Sequence, residues 1–136
     1  KRLSGPMIDR IDIWVSVSKI EYNKLSIKSS ENESSETIRK RVVLAHKKQK
    51  ERFVKNGIVN KKHNGEMSVS DIEKIVKLNG QGIDLLTKSS EKLGLSARTY
   101  HKIIKLSQTL ADLEGVDEIN TSHILEALQY RQKILT

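Results

Sequence analysis

A chain of 136 residues is long enough for one ordinary domain with a short appendage. It has no cysteine for a disulfide framework, no secretory signal, and no apolar run near the roughly 18 residues of a membrane span, so no membrane role is read and a cytoplasmic location is expected. Aromatic residues make up 4% and charged residues 31%, which favours a small helical domain with aliphatic packing over a sandwich or barrel.

In chain order, Pro6 suits the first turn of a short helical segment, where its missing N–H would lack a partner in any case. Ile11, Ile13, Val15 and Val17 then alternate with Asp12, Trp14 and Ser16, and this period of two predicts a strand with one buried face. A lone strand cannot satisfy its own backbone, so its sheet partners are expected in sequence that this chain does not contain. Residues 19–34, rich in Ser, Asn, Lys and Glu, read as a linker.

Four or five helices follow. Ser34 or Ser35 can cap the first, with Ile38, Val42, Ala45, Gln49 and Phe53 along one side, before Asn56-Gly57 ends it. A loop leads to Gly65. Ser70-Asp71-Ile72-Glu73 reads as a capping box for the next helix, whose apolar positions Ile72, Ile75, Val76 and Leu78 lead to Asn79-Gly80. The pattern resumes with Ile83, Leu86 and Leu93, so this stretch is either one kinked helix or two short ones, stopped by Gly94. Ser96 caps a helix with Tyr100, Ile103, Leu106, Leu110 and Leu113 on one face, closed by Gly115. The last helix starts near Asn120 or Thr121 and packs Ile124, Leu125, Leu128 and Ile134. Short links between amphipathic helices predict a compact bundle, hence a mainly α fold.

The formal net charge of +8 is localised. Residues 35–62 carry ten basic and two acidic side chains, whereas residues 1–34 sum to +1 and residues 63–136 to −1. Such a stripe can bind nucleic acid by neutralising phosphates, with Lys47, Lys48 and Lys50 as candidate contacts. The plainer alternative is a solvated helix face, since no aromatic platform accompanies it.

Two arginines stand out. Arg10 lies where a turn runs into the expected strand, and a planar, permanently charged fork there can reach a phosphate. An ordinary ion pair with Asp9 or Asp12 is the competing reading. Arg98 falls two residues after the cap Ser96, where the helix end already favours an anion, and a merely solvated arginine is its alternative. His46, His63, His101 and His123 lack metal-ligand spacing, no nucleophile elbow occurs, and Asp71/Glu73 and Asp117/Glu118 look like helix-start charges. No Gly-x-x-x-x-Gly-Lys-Ser/Thr loop is present, so this stretch is not expected to hydrolyse ATP by itself.

With these residues in view, the chain resembles the C-terminal part of magnesium-chelatase-like AAA+ ATPases, most closely the competence-associated ComM (YifB) family. The run Leu3-Ser-Gly-Pro-Met-Ile-Asp-Arg-Ile-Asp-Ile13 is similar to the segment joining that family's ATPase core to its lid, and Ser34-Ser-Glu-Thr-Ile-Arg39 to the start of its first lid helix. Leu95-Ser-Ala-Arg-Thr-Tyr-His-Lys-Ile-Ile104, continuing through Gly115, resembles the sensor-2 helix, and Ile119–Arg131 the final helix. Trp14 departs from the pattern, standing where the family more often has histidine. It is either a stacking surface or a ring covered by the missing core.

The resemblance implies residues 1–18 as the end of an AAA+ core, 19–34 as linker and 35–136 as a helical lid, with Lys1 a boundary that follows the missing Walker motifs. It implies Arg10 as an arginine finger serving a neighbouring subunit, and Arg98 as the sensor-2 arginine of its own. ATP and Mg2+ are then the cofactors of the full-length protein, with neither expected on this stretch alone. The full-length protein is expected to be a homo-oligomer, a hexamer, that acts on DNA by branch migration during recombination of incoming DNA. Two other readings stay open: a free-standing basic module that binds nucleic acid through residues 35–62, and a pure protein-interaction module.

Overall fold

The computed structural model describes residues 5–8, 10–19 and 32–131. Among the described residues six α-helices carry the fold: α1 (Gly5–Ile8), α2 (Ser35–Lys55), α3 (Val69–Ile75), α4 (Gly80–Leu93), α5 (Ala97–Glu114) and α6 (Thr121–Gln129), with a 3-10 turn at Asn64–Glu66. The mainly α expectation holds, and Pro6 sits inside α1 as its fixed φ favours.

Side-chain caps define where each helix starts. Ser34 Oγ accepts from Thr37 N–H at 3.2 Å, Asn79 Oδ1 from Gly82 N–H at 2.7 Å, and Ser96 Oγ from Thr99 N–H at 3.2 Å. Asn120 Oδ1 accepts from Ser122 and His123 N–H groups, while His123 Nδ1 accepts from Asn120 N–H at 3.1 Å. α3 differs from its sequence reading. Its capping box is built by Ser68 and Asp71, because Asp71 accepts from Ser68 N–H at 2.7 Å and is also held by Lys61. Ser70 is therefore already inside the helix.

α2, α4 and α5 stop alike. The residue after each left-handed glycine donates back to a carbonyl five residues earlier: Ile58 to Phe53, Leu95 to Ser90 and Val116 to Ala111. Gly115 at φ +89° is one such position, where a Cβ would strain the backbone. Between α3 and α4 the chain is two helices rather than one kinked helix. Leu78 forms a single parallel bridge to Ile119, with Ile119 N–H donating to Lys77 O at 3.1 Å.

α5 is the central helix, packing on α2, α3, α6 and the 3-10 turn, while α4 packs on α6. The core gathers Phe53, Met67, Leu86, Ile103, Ile104, Ile119 and Ile124. Gly82 lets α4 approach α6, since a Cβ there would lie 3.2 Å from Ile124 Cδ1. α5 buries more than the aliphatic stripe expected of it. Ser107, Gln108, Ala111 and Asp112 are also buried, because the helix is wrapped on several sides.

Three other expectations change. Ile38 and Val42 lie on the same side of α2 as the buried Ala45, Gln49 and Phe53, yet both are exposed, since no element among the described residues covers them. Leu125 is half exposed, α6 stops at Gln129, and Ile134 falls outside the described residues. The period-two run Ile11–Val17 forms no strand. Its one backbone-to-backbone bond to the bundle among the described residues is Trp14 N–H to Tyr130 O at 2.7 Å, and without a neighbouring strand no ladder can form. No helix among the described residues is long and apolar enough to cross a membrane.

Candidate functional site

Arg98 occupies the second position of α5, one residue inside the turn capped by Ser96. Its side chain is exposed and has no hydrogen-bond or ion-pair partner among the described residues. Ser96 occupies the N–H of Thr99, while the N–H groups of Ala97 and Arg98 have no acceptor within the helix and the helix dipole favours an anion at this end. That combination of fixed dipole, unpaired N–H groups and a planar cation suits a phosphate oxygen.

Arg10 follows α1 in a tight turn fixed by Arg10 N–H to Met7 O and Ile11 N–H to Ile8 O, each at 3.1 Å. Its guanidinium is exposed and, among the described residues, reaches only Pro6 O, at 3.5 Å. The anticipated ion pair with Asp12 does not form. Asp12 instead binds Lys102 Nζ at 2.7 Å, and Lys102 also donates to Ile11 O at 3.5 Å. Asp9 lies outside the described residues. Arg98 and Lys102 are four residues apart on α5 and share a face, so the turn bearing Arg10 is tied to the helix bearing Arg98. Between them opens a groove of about 460 Å³ lined by Ile8, Ile11, Trp14, Ser96, Thr99 and Lys102, among others. Trp14 is partly buried along this groove.

The three candidate DNA contacts fare differently. Lys47 is 3.9 Å from Glu51, and Lys50 is exposed with no partner among the described residues. Lys48 donates to Gly115 O at 2.7 Å and pairs with Asp117 at 2.8 Å, so it closes the C-terminus of α5. With Lys55, Lys74 and Lys77 it rims a second groove of about 380 Å³, and Lys74 and Lys77 lie outside the basic segment read from the sequence.

Sequence reasoning missed a buried polar cluster. Asp112, 2% exposed, accepts from Arg52 through both oxygens and from Asn64 Nδ2 at 2.8 Å, while Asn64 N–H donates to Gln49 Oε1 at 3.0 Å. Arg52 had been counted as part of the basic stripe. The only signal was an acid on the otherwise uncharged inner face of α5. His123 is likewise buried, pairing with Glu114 through Nε2 while Nδ1 serves the α6 cap. Among the described residues no group of three or more His, Cys, Asp or Glu gathers to hold a metal ion.

Three carboxyls among the described residues are held below the usual range, Glu66 chiefly by the backbone N–H of Lys62. The Lys61 ammonium, then Ser68, depresses Asp71, and Lys48 depresses Asp117. Both folded aspartate pKa values lie below the ordinary value of 3.8, so their contribution is fully present above that pH and is lost as pH falls through the folded values. Stability should thus stay level down to about pH 5 and decline below it. In the Asp71→Asn/Asp117→Asn double variant, denaturant midpoints across the acid range should show a shallower decline. An unchanged acid slope would refute the assignment.

Residues 32–131 match the family described as magnesium chelatase, subunit ChlI C-terminal, and the chain belongs to this family of magnesium-chelatase-like proteins. Within it the likeness is to the ComM/YifB group. The chain is 38% identical to competence protein ComM of Haemophilus influenzae over 98% of its own length and 25% of that protein's. It is 35% identical to YifB of Salmonella typhimurium over 96% of the chain and 24% of the relative, and 31% identical to YifB of Escherichia coli over 99% and 27%. The chain therefore spans about a quarter of the length of these relatives.

Proposed function

We propose that this chain is the helical lid and adjoining turn of an AAA+ ATPase, with residues 1–18 closing the core, 19–34 linking and 35–136 forming the lid. The full-length protein is an ATP-driven DNA branch-migration motor, working as a homo-oligomer, a hexamer, on incoming DNA. The relative named competence protein ComM supports the link to incoming DNA. The observation that carries the reading is Arg98, without a hydrogen-bond or ion-pair partner among the described residues, at the Ser96-capped start of α5, which is tied through Lys102 and Asp12 to the turn that exposes Arg10.

The residues present fit a nucleotide phosphate but not its Mg2+, for which the described residues gather no acidic cluster. ATP, when bound, supplies the phosphoanhydride bond whose cleavage drives the motor. Arg98 holds a phosphate oxygen of its own subunit's nucleotide, aided by the first-turn N–H groups of α5. Arg10 presents its fork to the nucleotide of the neighbouring subunit and stabilises negative charge developing on the transferring phosphoryl group. Lys48 and the Arg52–Asp112 pair keep α2 and α5 moving as one body.

In the full-length protein, Arg98→Ala should lower ATP hydrolysis by about 10²–10³-fold, comparable to losing one preorganised charge-stabilising donor. The circular dichroism of the isolated chain should stay unchanged, because the exposed Arg98 makes no hydrogen bond or ion pair among the described residues. Near-normal turnover in assembled oligomers of the variant would refute the role.

A further inference from the structure

The two arginines serve different nucleotides on this reading, yet the segments that bear them are joined within the same chain through Lys102. Lys102 is one turn beyond Arg98 on α5, and its side chain is 21% exposed. It holds the Asp12 carboxylate at 2.7 Å and the Ile11 carbonyl at 3.5 Å, both within two residues of Arg10. A second bond, Trp14 N–H to Tyr130 O at 2.7 Å, anchors the same segment to the end of α6. Asp12 is 68% exposed, and a pair so open to solvent contributes little to stability. Its placement is better explained by what it connects. A shift of α5, as Arg98 engages a phosphate in cis, is carried by Lys102 to the turn that aims Arg10 in trans.

The geometry points to Lys102 as a positioning residue that couples nucleotide occupancy in one subunit to the finger offered to the next, with Asp12 as its partner. This rests on the proposed function. Lys102 touches no reacting group. It makes the position of Arg10 depend on the position of α5, which is the requirement for two sites to share a coupling free energy.

The test uses the full-length protein and steady-state hydrolysis as a function of ATP concentration. Lys102→Met and Asp12→Asn should each lower kcat about tenfold, within the usual range of inter-site coupling, and bring the Hill coefficient towards one while KM for ATP and thermal stability stay near wild type. The reciprocal exchange Asp12→Lys with Lys102→Asp should recover most of the lost kcat and cooperativity. Wild-type kcat and cooperativity in Lys102→Met, with Arg10→Ala and Arg98→Ala inactive, would overturn the coupling and leave the proposed function standing. A loss that follows thermal stability and is not recovered by the exchange would also overturn it, marking the pair as merely structural. If Arg10→Ala and Arg98→Ala both hydrolyse ATP normally, the proposed function falls and this inference falls with it.

Discussion

Asp112→Ala should destabilise the folded chain by about 3–5 kcal/mol, the range found when one partner of a buried ion pair is removed. The Asp112 side chain has no solvent exposure and that of Arg52 only 11%, so the guanidinium cannot recover its hydration when the carboxylate goes. Arg52 Nη1 donates to Asp112 Oδ2 at 3.2 Å, Asn64 Nδ2 at 2.8 Å, and Gln108 Nε2 reaches the other oxygen at 3.4 Å. All of these donors lose an acceptor at once. Small domains have only about 5–15 kcal/mol in reserve, so much of the variant should be unfolded in mild denaturant. Urea titration followed by far-ultraviolet circular dichroism measures the loss, and a value under about 1 kcal/mol would sink the account. The double variant Arg52→Met/Asp112→Leu provides the control. Replacing the whole pair by apolar groups of similar size is often neutral or stabilising, so most of the stability should return.

The second large effect concerns Arg10 and follows from the proposed function. Arg10→Ala in the full-length protein should lower hydrolysis by about 10³–10⁵-fold, as loss of an arginine finger does, while nucleotide affinity in the same subunit changes little. The trans assignment makes a sharper demand. Mixing Arg10→Ala subunits with subunits disabled in nucleotide binding should restore turnover at the mixed interfaces, where an intact finger meets a loaded site. Activity that never exceeds the sum of the two separate preparations would rule out action in trans. The structure makes Arg10 a clean position to alter, since among the described residues its side chain reaches only one carbonyl, at the limit of hydrogen bonding.

Much of this fold was legible because its helices are punctuated by local chemistry. Ser34 and Ser96 cap by their own hydroxyls, and Gly57, Gly94 and Gly115 stop helices through left-handed backbone, so these boundaries depend on neighbours in sequence. What failed depended on partners distant in sequence. Ser68 displaced Ser70 as a cap because Asp71 is shared with Lys61. Ile38 and Val42 share the apolar side of α2, but periodicity cannot say how far a neighbouring helix extends. The alternation at Ile11–Val17 is real, yet a strand exists only with another strand beside it.

The candidate site divides in the same way. Arg10 and Arg98 were readable as exposed arginines beside a turn and a capped helix end, and the structure leaves both guanidiniums exposed. The bond between Asp12 and Lys102 could not be read, since 90 residues separate the partners and each is ordinary alone. The bond made by Lys48 could not be read for a related reason. Its charge belongs to the basic segment, but its ammonium is used on the carbonyl of Gly115.

The overhang of α2 has a mechanical consequence. Residues 35–44 are all exposed, yet they continue without a break into Ala45, Gln49 and Phe53, which are clamped in the bundle. At about 1.5 Å per residue this is an arm of roughly 15 Å, so a ten-degree tilt of the bundle sweeps its tip through about 2–3 Å. Whatever rests against Ile38 and Val42 is pushed by a rigid lever rather than drawn by a slack tether.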